Sequence, residues 1–358
     1  MNKKKIASLD YVRALSVLFI IIFHYTAVIL YDQKVDVHIS RYIFPLFGGL
    51  GVSFFIIISG GGIYNSIKNN FNVLNFYKKR FISIYPTYYV AYIITVLFLF
   101  LIGGRMVFQG DFTRIIWTLL GLDGFLSGRV STYYLIGEWF LGFIIIMYIF
   151  FPVIRLLYIK NKYWTFLLAL ILSILSVRYN SYLYDHIPFW NKRDIWNPIV
   201  RLPEFIFGMF LFEQISEKRI TVIKLITAVA LIIVAGYTIN DHRDMVINEY
   251  RNIPLFTSIL VLMVVVYEFA FKKIHFNSVI NFLSKYSFLA FLYHHQILSI
   301  INGKINLRIL DKTGLISCGL IVITLSFVLA YLTFNSCQRF ANYLTWKIKL
   351  KSEITSNN

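Results

Sequence analysis

The sequence predicts an all-α protein, a polytopic membrane helical bundle of about ten transmembrane helices. Apolar residues make up 58% of the 358 residues and charged residues only 15%, against about 45–50% and about 25% in soluble domains. The apolar residues fall in stretches of about 20, which is the length that a helix needs to cross a bilayer. The charges lie mostly between these stretches. Together these observations exclude a soluble globular enzyme and a disordered chain.

Ten apolar segments are candidate spans. In chain order they are residues 12–31, 44–66, 82–103, 132–158, 164–179, 198–213, 220–239, 254–271, 279–302 and 315–345. We expect one membrane domain over residues 1–346, followed by a short cytoplasmic tail over 347–358. The first segment carries Arg13 and His24 and has no small-residue cleavage site, so we expect a retained helix and not a cleaved signal peptide.

The net charge of +18 is interpreted as an orientation signal. Nucleic acid is not an expected partner, because no nucleic-acid module is found and the charges lie in the connections. With the N-terminus in the cytoplasm, the inner connections hold more Lys and Arg than the outer ones, as the positive-inside rule requires. An even number of spans then places both termini inside. The abundance of Ile, Lys, Asn, Phe and Tyr indicates an AT-rich bacterial genome, and hence a bacterial plasma membrane.

The connections are short, and the longest lies at about 104–131. It contains an amphipathic piece from Phe112 to Phe125. This piece is expected either to lie in the membrane interface or to re-enter the membrane. The sequence shows no segment with the composition of a soluble domain. Any chemistry is therefore expected to use residues within the spans and at their ends.

The first span carries three ionisable residues on one face. Arg13 and His24 are 11 positions apart, which leaves them about 20° apart around a helix and about 16 Å apart along it. Asp10 lies one turn before Arg13. Ionisable groups in hydrocarbon mark a functional site or a structural pair, and both interpretations stay open: an interfacial Asp10–Arg13 pair with a hydrogen-bonded His24, or a functional stripe.

The later spans carry further candidates. His294 and His295 are adjacent, so they point about 100° apart and are not expected to hold one metal ion; we expect one of them to face the interior. No HxxxH or HExxH spacing occurs, and no metal site is predicted. Glu138 lies in the outer half of its span. Arg201 and Glu204 are one turn apart and are expected to form an internal ion pair.

Two segments are candidates for binding a phosphate-bearing ligand. Lys78, Lys79 and Arg80 precede a span, where a basic cluster is commonly an orientation signal but also suits a polyphosphate such as that of coenzyme A. Ser59 and Gly60 open a small-residue run near the inner end of span 2. That run allows either close approach of a ligand or close helix packing.

Taken in order, six segments resemble the acyltransferase-3 family of integral membrane acyltransferases. The first span, with Asp10, Arg13, Ala14 and His24, is similar to the family's D-x-x-R-A start and its R-x10-H pattern. The other five segments lie at 51–60, 77–86, 139–152, 201–209 and 287–294. They are similar to the family's G-V-x-x-F-F-x-x-S-G, R-R-x-x-R-I-Y-P, W-F-L…Y…P, R-x-P-x-F-x-x-G and S-x-x-x-Y-L-x-H patterns. The resemblance covers nearly the whole chain. Ser83 departs from it, standing where the family's second Arg of R-x-x-R usually lies; either Lys78 or Lys79 compensates or the donor differs.

The resemblance implies a membrane O-acyltransferase, most simply an O-acetyltransferase. It would move an acyl group from cytoplasmic acetyl-CoA, or another acyl-CoA, to a hydroxyl of a cell-surface polysaccharide or its lipid-linked precursor. His24 would act as general base or acyl relay, and Arg13 would orient the site or hold donor phosphate. The implied catalytic set is completed by Asp10, Glu138 and His294. The implied coenzyme-binding set is Lys79, Arg80, Ser59, Gly60 and Tyr85. The co-substrate is the expected cofactor, with no metal, and membrane lipids are the other expected partners.

Three other functions remain open. A lipid-linked glycan transporter or flippase would also explain ten spans and an intramembrane His–Arg stripe, although the two halves show no repeat of the kind that many transporters have. A glycan polymerase would be expected to carry a large outer loop. A non-catalytic sensor of acyl-CoA or glycan is the third alternative. Acyl transfer that depends on His24 would separate the acyltransferase from all three.

Overall fold

The computed structural model describes residues 7–35, 44–67, 71–101, 111–216, 229, 252–269 and 277–356. Within these ranges the regular elements are helices and no strand occurs. The α-helices are α1 (Ala7–Ala27), α2 (Phe44–Ile67), α3 (Val73–Leu101), α4 (Ile115–Leu119), α5 (Asp123–Leu126), α6 (Glu138–Lys160), α7 (Lys162–Arg178), α8 (Asn180–His186), α9 (Leu202–Ser216), α10 (Ile253–Phe269), α11 (Asn277–Lys304) and α12 (Lys312–Ser356). The all-α prediction is confirmed for this part of the chain.

Five of the described helices are long and apolar enough to cross a membrane. They are α1 with its extension to Asp32, Leu46–Ile67 of α2, α3, α6, and Lys312–Ile348 of α12. Helices α7 and α8 meet at a bend of 79° and count as a sixth if they form one broken span. The predicted total of ten stays a prediction, because α9 and α10 are short and α11 is not among these five helices. Of the predicted span 220–239, only residue 229 is described.

The bundle has two distinct ends. Arg13 of α1 contacts Ser284 of α11, and His24 of α1 lies beside His294 of α11, so α1 and α11 run parallel. Helices α2 and α6 run the opposite way. We call the two ends of the bundle the Arg13 end and the His24 end. The Arg13 end holds the N-termini of α1, α3 and α11 and the C-termini of α2, α6 and α9.

Helices α2 and α9 pack closely in parallel through glycine. A Cβ on Gly60 would lie 2.1 Å from the carbonyl oxygen of Phe205, and a Cβ on Gly208 would lie 1.9 Å from that of Ile57. Neither position therefore accepts a side chain without moving a backbone. Small residues commonly allow membrane helices to approach in this way.

The expected internal ion pair lies at the same interface and is bonded across it to α2. Arg201 Nε donates to Glu204 at 2.6 Å, and its Nη2 donates to Glu204 at 3.1 Å and to Ser53 of α2 at 2.7 Å. Arg201 and Glu204 are each only 2% exposed. The structural interpretation of this pair is confirmed.

The segment from 111 to 137 is held against the middle of α3 by a row of four tyrosines. Their hydroxyls donate to main-chain carbonyls of the segment, and the pairs are Tyr85 to Leu120, Tyr88 to Thr118, Tyr89 to Leu119 and Tyr92 to Tyr133, at 2.6–3.0 Å. We call these four residues the tyrosine row. The segment includes the amphipathic piece 112–125. The segment therefore packs along the middle of α3, and both expectations for it, an interfacial and a re-entrant position, stay predictions.

Helix α12 is longer than a bilayer requires. Its 45 residues extend about 68 Å at about 1.5 Å per residue, while a hydrocarbon core is about 30 Å thick. It begins at the His24 end, where the Tyr25 hydroxyl donates to the carbonyl of Leu315 at 2.6 Å. The helix continues through residues 347–356, which the sequence assigned to a short tail.

Candidate functional site

Four ionisable side chains from three helices meet near the His24 end. His24 comes from α1, Glu138 is the first residue of α6, and His294 and His295 come from α11. The nitrogen and oxygen atoms that these side chains offer lie within 4.8 Å of one another. We call these four residues the His–Glu cluster. It lies about 26 Å along α1 from Ala7, at about 1.5 Å per residue.

The carboxylate of Glu138 lies between two imidazoles. Its Oε1 is 3.4 Å from Nε2 of His24, and it also contacts Nε2 of His295. The ring centroids of His24 and His295 are 4.2 Å apart. When a carboxylate accepts an imidazole N–H, it selects the tautomer and the orientation of the ring, and Glu138 is close enough to both rings to take this part.

A left-handed turn aims Glu138 into the cluster. Gly137 has φ +94° and Glu138 has φ +48°, a region that non-glycine residues rarely occupy. Such strain is tolerated only where the surroundings hold it in place, and it is concentrated at functional sites. Here the support comes from the segment 111–137, because Gly124 of α5 packs against the backbone of Glu138.

His294 is the deepest member of the cluster. It is fully buried, and its Nδ1 is 2.6 Å from the carbonyl oxygen of Phe291. Since a carbonyl only accepts, Nδ1 carries the proton and Nε2 carries the lone pair. Within the part of the chain that the structure describes, Nε2 has no hydrogen-bond partner.

A cavity of about 230 Å³ opens beside the cluster, and His24, Glu138 and His295 line it. The other side of the cavity is aromatic and basic. Trp139 and Trp196 stack there with ring centroids 5.3 Å apart and planes 10° apart. The guanidinium of Arg193 lies 5.1 Å from the Trp196 ring. The cavity thus combines proton-accepting groups with flat aromatic faces and a cation.

Asp10 and Arg13 lie in a separate polar group toward the Arg13 end. Arg13 donates to Asp10 at 3.1 Å, and Ser284 of α11 donates to the same carboxylate at 2.6 Å. The prediction that Arg13 and His24 share one face is confirmed, since both contact α11. Arg13 bonds within this group and does not join the His–Glu cluster.

The Arg13 end carries a second cavity, of about 360 Å³, with Lys79 on its wall. Phe71 and Phe76 also line it, and a guanidinium lies over each ring: Arg155 is 4.4 Å from the Phe71 centroid, and Arg80 is 5.9 Å from the Phe76 centroid. In the described residues the Nε atoms of both arginines are buried without a hydrogen-bond partner. The arrangement suits an anionic ligand.

Three residues proposed for coenzyme binding lie elsewhere. Gly60 is in the α2–α9 interface, where close packing accounts for it. Ser59 is half-buried beside it on α2. Tyr85 belongs to the tyrosine row. Ser83, the departure from the expected Arg, is exposed and donates to the carbonyl of Arg80 at 2.9 Å.

The argument from the sequence against a metal considered α11 alone. The spacing of His294 and His295 disfavours two ligands from one helix, but both rings reach the cluster because His24 and Glu138 approach from other helices. The expectation that one of the pair faces the interior is therefore too narrow, and His295, which was left out of the implied catalytic set, lies in the cluster as well. Arg155, beside the second cavity, is a residue that the sequence analysis did not single out.

Comparison with known families identifies the family of the chain. The acyltransferase-3 family model, described as an acyltransferase domain, matches residues 6–334. The match includes every member of the His–Glu cluster and both cavities. No curated protein and no solved structure matches the chain. Because the family model spans nearly the whole chain, this membrane protein belongs to the acyltransferase-3 family.

Proposed function

We propose that the protein is a membrane O-acyltransferase that transfers an acyl group, in the simplest case acetyl, from acyl-CoA to a hydroxyl of a cell-surface glycan or its lipid-linked precursor. The observation that carries this proposal is the contact of His24 with Glu138 on the wall of a cavity. Acyl transfer to a hydroxyl needs an oriented base beside a space that admits the acceptor.

His24 is the proposed base. If Nε2 of His24 donates its proton to Glu138, Nδ1 keeps a lone pair for the acceptor. The acceptor oxygen attacks the thioester carbonyl carbon while its proton passes to Nδ1. The new C–O bond forms, the C–S bond breaks, and the coenzyme leaves as a thiolate that takes the proton back. No covalent acyl-histidine is required by this scheme.

The acceptor is proposed to lie against the aromatic wall of the same cavity. Sugar rings present flat C–H faces that pack on aromatic rings, and Trp139 and Trp196 offer two parallel faces. Arg193 adds hydrogen-bond donors beside them. The wall therefore supports a glycan acceptor over a purely apolar one.

The donor is proposed to enter from the Arg13 end, which is cytoplasmic under the positive-inside interpretation. Lys79, Arg80 and Arg155 supply cations for the phosphates of coenzyme A, and Lys79 lies on the wall of the cavity at this end. The missing second Arg at position 83 is then compensated by Arg155 from α6, whose guanidinium lies over the ring of Phe71 on the same wall.

The transporter remains the second candidate, because the cavity beside the cluster also suits a passing glycan. The His–Glu cluster favours chemistry, since transport of a neutral glycan needs no aligned carboxylate and imidazole. A sensor would likewise need a ligand pocket but no oriented base.

The test compares surface polysaccharide from a deletion strain that carries wild type, His24→Gln, or His186→Gln at matched protein level. His186 is an exposed histidine on α8 and serves as the control. Ester-linked acyl groups are counted by NMR. We expect acylation with wild type and His186→Gln and its loss with His24→Gln. Equal acylation in all three removes His24 from catalysis, and a change in glycan amount with unchanged acylation supports transport.

A further inference from the structure

The His–Glu cluster has the donor set of a transition-metal site. Three imidazoles and one carboxylate are ligands that Zn²⁺ and its neighbours bind in proteins. A tetrahedral ion with bonds of about 2.0–2.1 Å holds its ligand atoms about 3.4 Å apart. The atoms of the cluster lie within 4.8 Å of one another, so side-chain shifts of about 1 Å complete the geometry.

His294 provides a second and independent indication of a ligand. Its Nε2 lone pair is fully buried and has no hydrogen-bond partner among the described residues. Its Nδ1 donates to the carbonyl of Phe291, which is the outer hydrogen bond that metal-bound histidines commonly make. A buried lone pair without a donor is costly, and a cation in the cluster would satisfy it.

The cluster also borders open space. His24, Glu138 and His295 line the cavity of about 230 Å³, so three of the four candidate ligands are reached from it. Within the cluster Glu138 is the acidic member, and its carboxylate supplies one negative charge to a bound divalent ion. Arg193 lines the same cavity, where it is exposed and lies over the Trp196 ring.

We propose that His24, Glu138, His294 and His295 bind a single divalent transition-metal ion of the Zn²⁺ type, and that this ion inhibits acyl transfer. The inhibitory part rests on the function proposed above. A neutral imidazole that coordinates a metal through one nitrogen carries its proton on the other, and so it has no lone pair left for the acceptor hydroxyl. The metal also takes the Glu138 oxygen that would orient His24. Metal and acceptor proton therefore compete for the same groups.

Binding is tested on the full chain purified in detergent, without substrates. The protein is stripped with a chelator, dialysed, and titrated with Zn²⁺ by calorimetry, and the same samples are loaded with Co²⁺ for visible absorption. Wild type is compared with His294→Gln and His295→Gln in the cluster and with His186→Gln outside it. Thermal unfolding of each stripped protein establishes that the variants are folded.

We expect one ion per chain for wild type and His186→Gln, with the absorption of a tetrahedral Co²⁺ centre. Each cluster variant should lose at least about tenfold in affinity, since even the loss of an outer partner of a ligand costs about 10–100-fold. Wild type that binds no more tightly than a folded His294→Gln variant overturns the site. So does a Co²⁺ spectrum that is unchanged in both cluster variants.

Inhibition is tested in vesicles with acetyl-CoA and purified glycan from the deletion strain. We expect the stripped wild type to transfer acetyl, Zn²⁺ to stop transfer over the range where it binds, and chelator to restore it. Zn²⁺ that binds at the cluster without slowing transfer overturns the inhibitory role. If stripped protein binds Zn²⁺ through the cluster but never transfers acetyl, the metal site stands and the proposed function fails.

Discussion

Gly124 lies directly against the backbone of Glu138: a Cβ at position 124 would be 2.3 Å from the Glu138 carbonyl oxygen and 2.5 Å from its carbonyl carbon. The contact joins α5 of the segment 111–137 to the first residue of α6. Real Cβ atoms do not approach a carbonyl so closely. The segment between α3 and α6 thus fixes the backbone from which the Glu138 carboxylate reaches the imidazoles of His24 and His295.

Gly124→Ala should therefore displace Glu138 and lower the rate of acyl transfer. The new methyl meets backbone and not a flexible side chain, so the start of α6 must move. We therefore expect kcat to fall in a protein that is still folded. Gly128→Ala is the matched control, since a Cβ there meets nothing within 4 Å. Rate and thermal midpoint are measured in vesicles and detergent. Equal activity of the two variants would show that the Glu138 backbone need not stay in place.

Glu138→Gln keeps the size of the side chain and removes its charge. We expect kcat to fall by about 10²–10⁴-fold, the usual contribution of an oriented acid–base group, with the chain still folded. The exposed Asp185→Asn is the control. Initial rates at saturating acyl-CoA and glycan measure the effect. If Glu138→Gln keeps the wild-type rate, His24 does not need the carboxylate and the proposed role of Glu138 is contradicted.

Asp123, beside Gly124, predicts a pH dependence of stability. Burial raises the pKa of its carboxyl from 3.8 to about 7, so the folded protein holds a proton that the unfolded chain releases. Stability is then lost as pH rises between about 4 and about 7. We expect Asp123→Asn to gain about 2 kcal/mol over wild type between about pH 5 and about pH 7, measured by thermal unfolding in detergent.

The control for this prediction is Asp185→Asn at an exposed position, measured over the same pH range. A constant difference between Asp123→Asn and wild type across the same range would contradict the raised pKa.

Arg155 is expected to act in donor binding. Arg155→Met should raise the KM for acyl-CoA by about 10-fold or more, since hydrogen bonds to charged groups contribute about 1.5–3 kcal/mol, while kcat stays nearly constant. Arg178→Met, at the far end of α7, is the control. Steady-state kinetics with varied acyl-CoA distinguish the two. A lower kcat with an unchanged KM for acyl-CoA would contradict a role of Arg155 in donor binding.

The Arg201–Glu204 pair should behave as a structural element. Glu204→Gln leaves a buried guanidinium without its carboxylate, and we expect a loss of about 3–5 kcal/mol in stability. Arg201→Leu combined with Glu204→Leu should cost less, because no buried charge remains unpaired. Thermal unfolding of the single and double variants tests this. A double variant less stable than the single one would contradict the expectation.

Relations within one helix could be predicted from the sequence. The shared face of Arg13 and His24 follows from helical geometry, and both residues contact α11. The Arg201–Glu204 pair likewise needs only a spacing of three residues. These predictions are confirmed because the distances involved are set by a single rigid element.

Relations between helices could not be predicted in the same way. Nothing in the local pattern says that α1, α6 and α11 meet, so the His–Glu cluster and the part played by His295 were missed. The aim of Glu138 depends on a left-handed turn at Gly137 and on a contact with Gly124. Gly60 is a similar case. Its sequence context allowed either a nearby ligand or close helix packing, and only the position of α9 shows that it packs against another helix.

The tyrosine row changes what counts as a conservative substitution in this protein. A short connecting segment packed against an apolar helix has carbonyls that need donors, and the four phenol hydroxyls donate to four of them. Replacement of Tyr88 by phenylalanine would look harmless on any hydropathy scale, since it makes the helix more apolar. It would nevertheless leave the Thr118 carbonyl without that phenol donor. The tyrosines of α3 thus have a second role besides packing: their hydroxyls supply the hydrogen-bond donors that these carbonyls would otherwise find in water.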